Sequence, residues 1–126
     1  MYMNFNNSQP IYKQIIDYFK KQLVRGELHP GDRIPSQREY AERVRVNPNT
    51  VQRAYREMEI MQLVETIRGQ GTFISNREAM IQELRNEMVE NIIGHFILEM
   101  TSLGYQDRDL VGLLEKQLVK ERDGKK

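Results

Sequence analysis

Two helix-start signals only eleven residues apart constrain this chain more than any other feature. Ser36-Gln37-Arg38-Glu39 has the S-x-x-E form of a capping box, in which the Ser hydroxyl and the Glu carboxylate each satisfy a backbone N–H at a helix start. Asn47-Pro48 supplies the second start, since Asn can cap and proline's missing N–H is not needed at the first helical position. The helix between them must be short, with Tyr40, Ala41 and Val44 as one narrow buried face, and it ends near Arg45. The next helix, over about residues 48–61, is strongly amphipathic: Val51, Ala54, Tyr55 and Met58 repeat at i, i+3, i+4 and i+7.

The flanks complete the layout. Ile11, Ile15, Ile16, Phe19 and Leu23 form one stripe of a first helix from about 10 to 25, with Ser8 placed to cap it, Pro10 early in its first turn and Gly26 to stop it. Residues 26–35 hold two glycines and two prolines, and read as turns around a short extended piece. After Leu63 the period changes. Val64, Thr66 and Ile67, then Arg68-Gly69-Gln70-Gly71, then Thr72, Phe73 and Ile74 make a β-hairpin signal. Beyond Asn76 a helical pattern runs for more than 25 residues, roughly 40 Å at about 1.5 Å per residue, until Gly104. Asp107 can cap a last helix with Leu110, Val111, Leu114, Leu118 and Val119 on its face, and the end from Arg122 onward is expected to fray.

Helix, connector, short helix, tight turn, amphipathic helix and hairpin, in this order, is the layout of a winged helix-turn-helix. The expected fold is mainly α, with a small β-hairpin wing in residues 1–75 and a two-helix segment in 76–126. Burial of Val51, Ala54, Tyr55 and Met58 turns Asn49, Gln52, Arg53 and Arg56 outward. Arg can bond guanine O6 and N7, and Asn and Gln can bond adenine N6 and N7. N–H groups and the dipole at a helix N-terminus also favour phosphate. Such a face on an isolated helix is more often merely solvated; the tight turn and the hairpin beside it favour recognition.

Three runs carry a family resemblance: Gly31-Asp-Arg-Ile-Pro-Ser-Gln-Arg-Glu39, Val46-Asn-Pro-Asn-Thr-Val-Gln-Arg-Ala-Tyr-Arg-Glu-Met58 and Arg68-Gly-Gln-Gly-Thr-Phe73. In order and spacing they resemble the DNA-binding domain of GntR-family transcription regulators, over about residues 9–75. The resemblance implies DNA contacts by Arg38, by Asn47, Asn49, Thr50 and Gln52, and by Arg68 and Gly69 at the wing tip. Arg38 alternatively makes a surface ion pair, Thr50 a local backbone bond, and Gly69 and Gly71 supply positive φ in the turn. Pro48 and Gln52 depart from the family, where arginine is common. That places guanine reading at these two positions in doubt and makes adenine reading by Gln52 plausible.

The remaining 50 residues are too few to enclose a core of their own, yet they carry a wide apolar surface. Leu84, Met88, Ile92, Phe96, Met100, Leu114 and Leu118 are the candidate dimerisation residues of a two-fold homodimer that presents two reading heads to a pseudo-palindromic site. In length and helix pattern the segment is similar to the dimerisation tail of the YtrA-like subgroup. The alternative is a monomer in which the long helix packs back on the head. Met80, Met88 and Met100 with Phe96 offer an adaptable lining for a small-molecule effector, although such a stripe is more often plain core. His95 beside the Ile92/Phe96 stripe reads as an interface histidine.

Charge and composition narrow the function. The formal net charge of +1 hides an asymmetry: residues 1–76 hold 11 Lys+Arg against 8 Asp+Glu, and residues 77–126 hold 8 against 10. A basic head and an acidic tail suit different tasks. At 126 residues, against roughly 150 for one domain, a winged head and two helices leave no room for a separate sensory domain. With no Cys there is no thiolate nucleophile or Cys-ligated metal, and His29 and His95 lie far apart, so no cofactor or metal is expected. Nucleophile-elbow, H-E-x-x-H and P-loop patterns are lacking, which argues against an enzyme. The start, MYMNFNNSQPIYK, lacks the features of a secretory signal, and no window approaches a membrane span of roughly 18 residues, so a soluble cytoplasmic protein is expected. Double-stranded DNA is the expected partner, and a sequence-specific dimeric repressor, with transporter genes as the resemblance's common target, the expected function. The competing reading is a winged helix for protein or RNA contact, of which a protein-binding version should expose apolar residues where this third helix carries Asn, Gln and Arg.

Overall fold

The computed structural model describes residues 5–124, and its element order is α1 (Ile11–Val24), β1 (Arg33–Ile34), α2 (Gln37–Val44), α3 (Pro48–Ile60), β2 (Val64–Ile67), β3 (Gly71–Ile74), α4 (Met80–Ser102) and α5 (Asp107–Gly124). Residues 1–4, at the start of the segment read for a secretory signal, and residues 125–126, at the end expected to fray, lie outside the described residues. The chain divides into two compact units, Met1–Leu84 and Arg85–Lys126.

The first unit is the expected winged helix-turn-helix. Ile15, Ile16, Phe19 and Leu23 of α1, Tyr40, Ala41 and Val44 of α2, and Val51, Ala54, Tyr55 and Met58 of α3 are all buried. Three rings meet at the centre: Phe19 lies 5.2 Å from Tyr40 and 6.0 Å from Tyr55, and the two tyrosines are 6.0 Å apart. Burial pushes both phenols well above the ordinary tyrosine value, so they stay protonated and polar-but-neutral in the core. The Tyr55 hydroxyl accordingly donates to the Pro35 carbonyl at 2.7 Å, which ties the connector to α3. Met80 and Leu84, in the first turns of α4, are also buried within this unit.

The wing has three strands rather than the two of the expected hairpin. β3 lies centrally in the order β1-β3-β2, antiparallel to both, with Ile34 opposite Thr72 and Val64 opposite Ile74. The extended piece inside the 26–35 connector is thus a two-residue edge strand. It is extended by the Gly31 N–H donating to the Ile74 carbonyl at 2.9 Å and the Ile74 N–H to the Asp32 carbonyl at 2.8 Å.

Local start signals behave unequally. The Ser36 capping box forms, with Ser36 Oγ accepting from the Glu39 N–H at 3.1 Å. Ser8 does not cap α1: Pro10 holds the cap position, and the Ser8 hydroxyl donates instead to the Asn6 side chain. The entry to α1 is fixed by Gln14, whose amide donates to the carbonyls of Asn6 and Gln9, each at 2.8 Å, and accepts from the Asn6 N–H. Asp107 is already the first residue of α5, and the carboxylate of Asp109 accepts from the Gln106 N–H at 2.9 Å. α5 takes in Arg122, Asp123 and Gly124, the first residues of the end expected to fray.

In the second unit the apolar residues of α4 spread widely. At about 100° per residue, Met88, Val89, Ile92, Ile93, Phe96, Ile97, Met100 and Leu103 cover roughly half of the helix circumference, against about 100° for an ordinary surface helix. Most of this surface is uncovered: Ile92 is 65% exposed and Leu103 72%. On α5, Val111, Leu114, Leu118 and Val119 are exposed as well, while Leu110 is buried.

Candidate nucleic-acid interface

Complete burial of Val51, Ala54, Tyr55 and Met58 fixes the rotation of α3 about its axis, and the opposite side is exposed at Asn49, Gln52, Arg53 and Arg56. The structure therefore places on one exposed surface the residue types that the helical period assigned to it. Arg56 and Gln52 lie one turn apart along it.

The first turn of α3 differs in one respect from the expected anion site. Asn47 Oδ1 accepts from the Asn49 N–H at 2.8 Å, and the Asn47 carbonyl accepts from the Thr50 and Val51 N–H groups at 3.0 and 3.2 Å. Pro48 has no N–H to offer. The backbone donors that were expected to meet phosphate are consumed by the cap, which leaves the helix dipole and the side chains to hold an anion here. Asn47 is exposed, and with its oxygen engaged its side-chain amide retains two donor hydrogens. Thr50 is half-buried beside it.

The turn before α3 is closed by Arg45, whose φ of 56° is left-handed, a region that favours glycine. Arg38, on α2, is 91% exposed and lies 3.7 Å from Glu42, a long surface contact of the kind that contributes little and exchanges easily. The ion-pair alternative for Arg38 is thus present, in a form that does not compete strongly with another anion.

At the wing tip, Arg68, Gly69 and Gln70 join β2 to β3, and the Gln70 N–H donates to the Ile67 carbonyl at 2.9 Å. Gly69 has φ 81° with open space around it, so the turn itself requires glycine there. Gly71, at φ 126°, also takes a backbone conformation that favours glycine, and it answers to a second demand as well. A Cβ there would come 2.8 Å from Arg33 Nε, because the Arg33 side chain crosses the sheet over this position. Sequence spacing could not show this, since β1 and β3 pair across nearly forty residues.

Arg53 is not a loose surface cation. Its guanidinium carbon lies 4.0 Å from the centre of the Tyr12 ring, and Nη2 donates to the Tyr12 hydroxyl at 3.3 Å. Tyr12 falls beside the apolar stripe of α1, and the sequence marks it by no more than an aromatic residue on the margin of a buried face. Among the described residues no group of three or more His, Asp or Glu is arranged to hold a metal, and no helix is long and apolar enough to cross a membrane.

Of the candidate dimerisation residues, Leu84 is buried in the first unit, Met88, Phe96 and Met100 are half-buried, and Ile92, Leu114 and Leu118 are exposed. His95 is exposed.

Comparison with known proteins is consistent from end to end. The profile of "Bacterial regulatory proteins, gntR family" matches residues 11–74. The uncharacterized HTH-type transcriptional regulator YhcF of Bacillus subtilis strain 168 is 45% identical over 107 residues, covering 85% of this chain and 88% of its own. The HTH-type transcriptional repressor YtrA of the same organism is 36% identical over 121 residues, covering 95% and 93%. Among solved structures, a GntR family transcriptional regulator from Listeria monocytogenes superposes with a TM-score of 0.83 at 37% identity, over 89% of this chain and 98% of its own.

Proposed function

Because this chain belongs to the gntR family of bacterial regulatory proteins and is a helix-turn-helix transcriptional regulator, we propose that it acts as a dimeric repressor that occludes a promoter by binding a pseudo-palindromic operator. In this reading two parts of the chain divide the labour, residues 1–75 contacting DNA and residues 76–126 joining two chains. The observation that carries it is the exposed side of α3: Asn49, Gln52, Arg53 and Arg56 stand outward with no apolar residue among them until Ile60, opposite a fully buried face. A winged helix that binds protein would expose apolar side chains there.

Gln52 reads adenine, Arg56 reads guanine or phosphate, and Arg38, Asn47, Thr50, Arg68 and the Gly69 backbone contact the sugar-phosphate chain. The exposed apolar arc of α4 and the exposed face of α5 support a homodimer, since a single chain leaves them in water. Met88, Phe96 and Met100, half-buried on α4, are where a small-molecule effector would find an adaptable lining. The protein works where the DNA is, in the cytoplasm, without cofactor or catalysis, and transporter genes are its proposed target.

Selection of genomic fragments by the intact protein, followed by binding measurements on the recovered duplex, tests this. Gln52→Ala should cost about 1–3 kcal/mol on the recovered duplex and almost nothing on a random one. Equal affinity for all duplexes, unchanged by the substitution, would remove the sequence-reading claim.

A further inference from the structure

Between the N-terminal ends of α1 and α3 lies an open cleft of about 340 Å³, lined by Pro10, Ile11, Tyr12, Asn49, Thr50 and Arg53. We propose that this cleft seats a backbone phosphate of the bound duplex, with the Tyr12 hydroxyl and the Arg53 guanidinium as donors, which makes α1 a fourth DNA-contacting element beside α2, α3 and the wing. The proposal rests on the DNA-binding reading above and adds to it a residue and an element.

The donor arithmetic at the Tyr12–Arg53 pair carries the argument. Arg53 Nη2 lies 3.3 Å from Tyr12 Oη, and an arginine can only donate. The phenol oxygen is therefore the acceptor in that bond, and its own proton remains to be given to another acceptor. The Tyr12 ring packs against the guanidinium, with the centroid 4.0 Å from the guanidinium carbon, and this keeps the charge while restricting the side chain. A restricted arginine loses less freedom when it grips an oxygen. Among the described residues no carboxylate forms an ion pair with Arg53, so its charge is not neutralised within the protein.

The surroundings favour an anion and point to side chains as its holders. None of the six lining residues is acidic, whereas the neighbouring cleft between the same two helices mixes Lys13 and Lys20 with Asp17 and Glu57. The backbone N–H groups of the first turn of α3 are spent on Asn47, as described above, so phosphate oxygens must find side-chain donors at this end of the helix. Tyr12, Arg53, the Thr50 hydroxyl and the Asn49 amide are those donors. Asn49 and Thr50 also belong to the helix turn that meets the duplex, which places a DNA phosphate rather than a free ion at this cleft.

The test uses the full chain, a duplex recovered by genomic selection and a random duplex of equal length, with affinity measured by fluorescence anisotropy across a salt series. Tyr12→Phe keeps the ring under the guanidinium and removes only the O–H. It should weaken both duplexes by the same factor, about three- to tenfold, with an unchanged melting temperature. Arg53→Ala should lower the salt slope by about one per half-site, hence about two for the dimer. Replacing single phosphates by neutral methylphosphonates should find one position in each half-site that costs the wild type more than it costs Tyr12→Phe. Wild-type affinity in Tyr12→Phe together with an unchanged slope in Arg53→Ala would overturn the proposal and leave the pair as a tie between α1 and α3. So would a loss confined to the recovered duplex, which means a base contact, or millimolar inorganic phosphate binding that DNA does not displace. A wild type that binds both duplexes equally defeats sequence reading but leaves the phosphate seat to be judged on the random duplex; one that binds neither defeats both.

Discussion

In the first unit Val51, Ala54, Tyr55 and Met58 are fully buried, whereas in the second Ile92, Leu98, Leu103 and Val111 remain 65%, 66%, 72% and 66% exposed. Both stretches have apolar residues at helical spacing. The difference comes from what surrounds them. The head has three helices and a small sheet, enough elements to enclose the Phe19, Tyr40 and Tyr55 rings and cover them. The second unit has part of one long helix and one further helix, and no third layer to close over them. A unit that closes on itself fixes which side chains remain outside, and so can present Asn49, Gln52 and Arg56 in a defined array. A unit left open has apolar surface to offer to another chain.

This contrast can be broken most forcefully at the boundary between the units. A chain ending at Leu84 should fold as a stable head, while one ending at Asn76 loses the buried side chains of Met80 and Leu84 and should be less stable by about 3–6 kcal/mol in urea denaturation. Equal stability would show that the first turns of α4 contribute nothing to the head. A charge on the open surface comes next in size. Ile92→Glu should raise the dimer dissociation constant roughly 30- to 150-fold, about 2–3 kcal/mol, and leave the melting of the head unchanged. Sedimentation equilibrium decides it, and an intact protein that is monomeric at micromolar concentration removes the dimer altogether.

The smallest effect compares two turns. The one after α4 uses Gly104 at φ 94°, and the one after α2 uses Arg45 at φ 56°, although both are left-handed. Arg45→Gly should therefore stabilise the head by up to about 1 kcal/mol in thermal melts, and Gly104→Arg should cost the second unit a similar amount. A destabilised Arg45→Gly would mean that the arginine side chain makes up for its backbone conformation through contacts of its own.

Much of the candidate site was legible because its signals are local. The period of α3 separates Val51, Ala54, Tyr55 and Met58 from Asn49, Gln52, Arg53 and Arg56 without reference to any other element, and the structure keeps that separation. What escaped the sequence lies between elements distant in the chain. Tyr12 meets Arg53 across 41 residues, and Arg33 crosses Gly71 through a strand pairing that no two-residue run can announce. Ser8 had the right type and nearly the right place for a cap, yet Asn6 and Gln14 took control of that entry.

The sequence by itself determined where α2 and α3 begin, where the wing turns, and which faces are apolar, because capping boxes, proline positions and periodicity act over a few residues through short-range hydrogen bonds and side-chain direction. Only the tertiary structure decided that β1 joins the wing, that the cap on α3 consumes its N–H donors, that Tyr12 holds Arg53, and that Met80 and Leu84 belong to the head while most of the remaining apolar surface of α4 stays exposed. These outcomes depend on which surfaces meet when the chain closes on itself, and on how many layers there are to cover an apolar face.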